Sequence, residues 1–576
     1  MRRRLLLLVP FLLACSKPET AVPAAAPKPS ILLVTLDTTR FDAMGGAATP
    51  SFNALAERGT RFTSAYATVP QTLPSHASMM TGLYPAGHGV HENGRFLGAA
   101  HPLLAEKLKA AGYGTAAFVS AFAVAKRFGL GRGFDVYDED FGAGLSERDA
   151  KATTDRAVAH LESAPGKPLF AWVHYYDPHY PYTPPAPHRG YAGEVAFMDE
   201  QLGRLVQAFT QRAPGPHAIV VVADHGEGLG EHGEDQHGNL LYQSTMHVPM
   251  VITGPGITPG TNATPVSTRR VFHTIMRWAG LPVTDDPEPV IVGEAMKPFL
   301  DYGWQPQVMA VEGNRKTILA GRTEVYDLAA DPKETRDLAA QGDISRAVRA
   351  TLRDYPLPSA QAEATNENLD EEGRRKLASL GYVASTVKPV VRADAPRPAD
   401  MVELFPILDR AAALFVAGDY AEAIPLLARI LEADPTNLDA ALRLATAHSS
   451  LGHEAEALAA FKRAETIAPD NADVRTYLAL HLARGDEWER AVPMLERILG
   501  ETPNKVPALE AMALIRERQR RPEEALALRK QLHALRAPSA AELVAMGDLA
   551  MATGQTALGI ESFERARSLQ GREFRR

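Results

Sequence analysis

Residues 31–36, Ile-Leu-Leu-Val-Thr-Leu, form an unbroken apolar run of strand length, and comparable runs recur at 169–173, 218–222 and 248–253. Continuous rather than alternating apolar character marks strands buried on both faces, as in parallel sheets covered by helices. Helix-period stretches at 51–58 and 103–111 lie between the runs. The alternation predicts an α/β domain with a doubly wound, mainly parallel sheet over residues 30–338. Three of the runs end in polar clusters: Asp37-Thr38-Thr39-Arg40, His174 to His179, and Asp224-His225-Gly226-Glu227. Open α/β sheets bind ligands at the C-terminal ends of their strands, so the three clusters predict one shared site.

From about residue 339 to 400 the periodicity weakens and Pro, Ala and charge dominate, which predicts a linker. Beyond it a repeat begins. Ala411, Ala445, Ala479, Ala513 and Gly547 recur every 34 residues, as do Ala423, Ala457, Ala491, Ala525 and Gly559; Pro435, Pro469 and Pro503 share the period. Small residues at fixed points let paired helices approach closely, and the prolines close the second helix of each pair. The pattern resembles the tetratricopeptide repeat and predicts an all-α solenoid over 401–570. Such arrays commonly seat a protein or peptide partner on their concave face, although packing against the first domain is the plainer role.

Composition narrows the classes. The 576 residues exceed one ordinary core, and 45% hydrophobic with 23% charged residues is globular rather than disordered. A formal net charge of -8 gives no basic surplus for nucleic acid. The N-terminus departs from this: Arg2-Arg3-Arg4, then an apolar stretch, then Leu12-Leu13-Ala14-Cys15, with Cys15 the sole cysteine. That order is a signal peptide over residues 1–15, and it resembles the lipobox of bacterial lipoproteins, in which the cysteine is lipid-modified. Residues 16–29, rich in Ala and Pro, read as a tether. The expected location is the bacterial cell envelope, lipid-anchored and facing the periplasm or exterior.

The richest chemistry lies in residues 68–85. Pro74 suits the first turn of a helix beginning at Thr72, which places the Thr72 hydroxyl at a helix N-terminus, where an anion is favoured. A neutral threonine is a poor nucleophile and needs a metal ion or a base. Asp37, Asp224 and His225 offer oxygen and nitrogen ligands suited to a divalent cation, zinc or manganese ahead of calcium.

Thr72 to Pro85 followed by His88-Gly89-Val90 resembles the nucleophile segment of the sulfatase and alkaline-phosphatase superfamily. Asp224-His225-Gly226-Glu227 with Glu231-His232-Gly233 resembles its second metal signature. Val248-Pro249 and the stretch from Tyr326 to Pro332 fit the same family, and the likeness spans residues 30–338. It implies a metal held by Asp37, Thr72, Asp224 and His225. One departure matters. Sulfatases carry Cys or Ser before x-Pro-x-Arg and convert it to formylglycine, whereas Thr72 and His76 stand here. The Thr-x-Pro-x-His form resembles the phosphodiesterase branch, in which a metal-bound threonine attacks phosphorus and an asparagine placed like Asn93 contacts a phosphoryl oxygen. Thr38 replaces a second aspartate that many sulfatases use for calcium. His174, Asp177, His179 and His237 are either ligands of a second metal or groups that bind substrate oxygens and protonate the leaving group. His76 reads as a helix-face residue behind the site. The expected activity is hydrolysis of a phosphodiester, phosphonate or sulfate ester on a small-molecule, glycan or lipid substrate. The alternatives are a phospho-group transferase of the envelope and a catalytically weak scaffold.

Overall fold

The computed structural model describes residues 27–573 apart from 163–165, 285–287, 343, 359–370, 383–386, 388–389, 391 and 537. The expected signal peptide, Cys15 and nearly all of the tether lie outside these described residues.

The apolar runs become strands. The main sheet holds β1 (Ser30–Leu36), β2 (Thr60–Tyr66), β3 (Gly114–Val119), β4 (Val136–Asp138), β5 (Leu169–Tyr175), β6 (His217–Ala223), β7 (His247–Thr253), β8 (Gly260–Asn262) and β9 (Val266–Ser267). Their order is β4-β3-β5-β1-β6-β7-β2-β8, with β9 beside β2. Strands β4, β3, β5, β1 and β6 are parallel neighbours. Strand β7, the run at 248–253, is antiparallel to both β6 and β2. The chain from 224 to 246 stays at the C-terminal edge and makes no crossover helix, so β7 must return in the opposite sense. Leu32, Val34, Val220 and Trp172 are wholly buried, as strands covered on both faces require. A second, antiparallel sheet follows, ordered β10 (Ile291–Ala295), β11 (Gln307–Glu312), β12 (Arg315–Ala320) and β13 (Arg322–Asp327).

The topology brings the C-terminal ends of β5, β1 and β6 side by side, and the three polar clusters with them. Above them points the helix Thr72–Thr81, buried at every one of its 10 residues and ended by Gly82 in the left-handed region.

The expected linker over 339–400 is more than a linker. Helix Arg346–Asp354 buries Val348 and Leu352 against Val292 and Val308 of the second sheet, and Tyr355 donates to Glu294 at 2.6 Å. A further helix, Glu371–Ser379, leads into Tyr382. These helices are short and largely polar, and that is why no long period marks them.

Five helix pairs follow, from Phe405–Ala417 to Thr556–Glu573. The 34-residue alanines lie at the helix contacts: Ala445, Ala479 and Ala513 are wholly buried, as are Ala423, Ala457, Ala491 and Ala525. At Gly547 an added Cβ would come within 2.5 Å of the Phe563 ring, so no larger residue fits that approach. The prolines stand two residues beyond helices ending at Ala433, Ile467 and Glu501. One continuous apolar cluster runs from Ile31 through Leu404 and Phe405 to Val474, joining the sheet domain to the first repeats. The Trp304 indole donates to Asp434 at 2.8 Å across that junction.

Candidate active site

Asp37 follows β1, and Asp224 and His225 follow β6. These three wholly buried side chains hold their ligand atoms within 4.8 Å of one another. The His225 ring is oriented by its Nδ1–H, which donates to the Gly226 carbonyl at 2.9 Å. Its Nε2 lone pair therefore faces Asp224 Oδ2 at 3.5 Å and Asp37 Oδ1 at 3.9 Å. Neither of those oxygens has a hydrogen-bond partner. These three electron-rich atoms converge on one another, with the Thr72 hydroxyl 3.5 Å from His225 Nε2. Burial pushes Asp37 up and Asp224 well up from the ordinary carboxylate range, the latter raised further by Asp37. Burial also lowers His225 to about 3, which keeps it neutral. Such a set suits a cation and disfavours its own empty state, so the residues fit a divalent metal ion. Other contacts fix the carboxylates. Asp224 Oδ1 accepts the His225 N–H at 2.8 Å, and Thr38, turned to φ 47°, presents its N–H to the same group.

Thr72 opens the buried helix as its first residue, and its Oγ1 lies 3.5 Å from His225 Nε2. Behind it runs a hydrogen-bonded relay. Trp172 Nε1–H donates to Thr35 Oγ1 at 2.9 Å, the Thr35 hydroxyl donates to His76 Nε2 at 2.9 Å, and His76 Nδ1–H donates to the Thr72 carbonyl at 2.7 Å. His76 is thus a neutral helix-face residue that holds the first turn, and burial keeps it well below the usual histidine range. Asn93 Oδ1 accepts the N–H of Leu73, the residue after Thr72, at 2.8 Å, and the buried Asn93 Nδ2 has no hydrogen-bond partner among the described residues.

The four residues expected as second-metal ligands or substrate groups separate. Ser120 N–H donates to His174 Nδ1 at 3.4 Å, so His174 Nε2–H donates to Asp37 Oδ2 at 3.1 Å and orients that ligand from outside. Asp177 turns away altogether: its Oδ2 accepts the Ala150 N–H at 2.8 Å, at the start of helix Ala150–Glu162. It therefore does not join His174 and His179 in a ligand set. His179 and His237 do meet, with ring centroids 5.1 Å apart. Nδ1–H of His179 donates to the Tyr180 carbonyl at 2.7 Å, and that of His237 donates to Glu227 at 2.8 Å. Both Nε2 lone pairs consequently face the site. Burial holds both rings near 4, helped at His179 by His237, and leaves them neutral. Among the described residues the Asp37, Asp224 and His225 group is the one with ligand geometry.

Sequence reasoning missed Tyr382. Its hydroxyl lies 3.0 Å from His179 Nε2, 3.3 Å from His237 Nε2 and 3.2 Å from Thr72 Oγ1. Burial, reinforced by Asp37, raises this phenol well above its ordinary value and keeps it protonated. The one legible signal was Gly381 closing a short amphipathic stretch, a helix-stop sign that says nothing of where the next side chain goes.

A sulfatase family model matches residues 29–281, and a tetratricopeptide model matches 414–465 and 450–515. A choline-sulfatase of Rhizobium meliloti is 26% identical over 462 residues, covering 61% of this chain and 90% of its own length. An ulvan-active sulfatase of Formosa agariphila is 26% identical, covering 62% and 82%. A crystal structure of the phosphonate monoester hydrolase of Agrobacterium radiobacter superposes with a TM-score of 0.46 at 20% identity, covering 56% of this chain and 94% of that one. Residues 29–281 thus form a sulfatase-family domain, and tetratricopeptide repeats follow it in the same chain.

Proposed function

We propose that this protein hydrolyses phosphodiester or phosphonate esters, with sulfate esters as weaker substrates, and that Thr72 is its nucleophile. The observation that carries this reading is the Thr72 hydroxyl, set at the N-terminus of a buried helix and 3.5 Å from His225 Nε2, beside two orphaned carboxylate oxygens. Asp37, Thr72, Asp224 and His225 would hold a divalent cation, zinc or manganese by the mixture of oxygen and nitrogen donors. When bound, that ion supplies Lewis-acid stabilisation and favours the alkoxide of Thr72. Thr72 Oγ1 then forms a bond to phosphorus while the ester P–O bond breaks, and the proton Thr72 gives up passes by way of the His179 Nε2 lone pair to the leaving oxygen, which departs as the alcohol. The free Asn93 Nδ2–H donates to a non-bridging oxygen, and the helix N-terminus favours the same charge. In the second half water attacks phosphorus and releases Thr72, with the His179 Nε2 lone pair placed to take the water's proton.

The test compares nitrophenyl sulfate, bis-nitrophenyl phosphate and a phenylphosphonate monoester, with zinc, manganese or calcium, for the wild type and Thr72→Ala. Phosphodiester or phosphonate turnover that vanishes in Thr72→Ala is expected. Dominant sulfatase activity, or turnover that survives in Thr72→Ala, would remove the reading. In the same proposal Cys15 carries a lipid that anchors the protein in the bacterial cell envelope, facing the periplasm or exterior. Cys15→Ser should then leave the membrane fraction, and its continued recovery there would count against the anchor. The repeat array is the proposed seat of a protein or peptide partner, to be read by crosslinking from the array in cells; labels confined to the sheet domain would refute it.

A further inference from the structure

The segment between the two family matches reaches into the centre of the site. Helix Glu371–Ser379 ends in a two-bond cap: Tyr382 N–H donates to the Leu377 carbonyl at 2.8 Å, and Gly381 N–H donates to that of Ala378 at 3.1 Å. Gly381 has φ +82°, the left-handed conformation such a cap requires. Leu377 and Leu380 are buried in the main core, and Ser379 Oγ meets Ser146 Oγ at 2.8 Å. The Lys376 ammonium lies over the Phe122 ring at 5.3 Å. The backbone of Tyr382 is therefore held from several sides, and from it the phenol reaches a place between Thr72, His179 and His237.

That place lacks donors. The neutral rings of His179 and His237 both present lone pairs, because each Nδ1–H is committed elsewhere. Two acceptors aimed at an anionic group would repel it. The phenol, 3.0 Å and 3.3 Å from those lone pairs and 3.2 Å from Thr72 Oγ1, carries a proton that can be given to an oxygen of the group being transferred. Asn93, whose Oδ1 holds the Leu73 N–H and whose Nδ2 has no partner, is a second neutral donor on the residues around Thr72.

We propose that Tyr382 is a catalytic residue of this hydrolase, its phenol hydrogen-bonding a non-bridging oxygen of the group attacked by Thr72. The inference rests on the reading of Thr72 as nucleophile. In the free protein the phenol oxygen stands close to where such an oxygen comes to lie. As substrate enters, the side chain swings about its capped backbone and its proton passes from facing His179 to facing the substrate. Because the group forms its strongest contact as charge develops, the effect falls on kcat more than on KM.

The experiment uses the full-length chain with manganese and bis-nitrophenyl phosphate. Tyr382→Phe keeps the ring and removes the donor. It should lower kcat by about 10²-fold, the usual loss for one such donor, with KM within about threefold. Manganese affinity by calorimetry should match the wild type. Gly381→Ala, which strains the cap without touching the phenol, should lower kcat to a smaller degree. An unchanged kcat in Tyr382→Phe would overturn the proposal. So would a raised kcat/KM, which would identify the phenol as a plug that substrate displaces. A wild-type chain inert toward every ester removes this inference together with the nucleophile reading, whereas an active wild type with an indifferent Tyr382→Phe removes this one alone.

Discussion

Replacing Asp224 with asparagine should stabilise the metal-free protein and abolish its response to metal. Asp224 is wholly buried. Its Oδ1 accepts the His225 N–H at 2.8 Å, while Oδ2 has no hydrogen-bond partner and sits 3.5 Å from the His225 Nε2 lone pair. In Asp224→Asn the amide oxygen keeps the first bond and the amide N–H₂ takes the place of Oδ2, where it can donate to His225 Nε2. An unsatisfied buried polar group costs about 1–3 kcal/mol, and the substitution relieves that cost together with the repulsion from Asp37. The wild type recovers the deficit by binding: an ion at about 100 times its dissociation constant contributes about 2.7 kcal/mol. Thermal melts of the full chain, in chelator and across a manganese titration, should therefore cross. The variant melts higher without metal, by several degrees, and the wild type melts higher once the ion saturates. Two results would refute the reasoning. One is a variant that melts below the wild type in chelator; the other is a variant whose midpoint still climbs with manganese.

Two further perturbations probe the scaffold. Lys316 and Glu334 pair at 2.8 Å with both side chains fully enclosed, so Lys316→Met strands a buried carboxylate. It should cost about 3–5 kcal/mol in chelator melts, and adding Glu334→Leu should return most of that; a neutral single variant would mean that water reaches the pair. Burial, ahead of His91 and His101, lowers His88 from 6.5 to about 3. The unfolded ring takes its proton first as pH falls, so the contribution of His88 is complete above its unfolded value and drains between 6.5 and about 3. The loss is about 1.4 kcal/mol per pH unit in that window. His88→Asn should flatten the acid limb of the stability curve, and a curve parallel to the wild type would dispose of this assignment.

Strands β1, β5, β6 and β7 were legible because burial on both faces leaves an unbroken apolar run. The direction of β7 was not, since the same residues suit either sense and only the connecting chain decides it. Asp37, Thr72, Asp224 and His225 stood out because each lies beside a strand end or helix start that periodicity could place. Asp177 misled: the chain turns at Tyr176, where the His179 N–H bonds back to the Tyr176 carbonyl, and this carries Asp177 to Ala150 while His179 faces inward. Spacing along a chain does not encode such a turn. Tyr382 was out of reach for a different reason. It lies 310 positions after Thr72, behind a helix too short and polar to show a period, and nothing local tells that its phenol crosses to the Thr72 hydroxyl. The repeats were the most legible part, because a 34-residue period of small residues reports helix contacts directly.

The join between Trp304 and Asp434 bears on how this chain can be recombined. The sulfatase match stops at residue 281, ahead of β10–β13 and Tyr382, while the indole finds its partner inside the first repeat. A fragment cut where that match ends would be expressed without Tyr382 and the second sheet. A chimera that exchanged the repeats for those of another protein would leave a buried indole N–H unanswered. The chain reads as two modules, yet it can be inherited intact far more readily than shuffled.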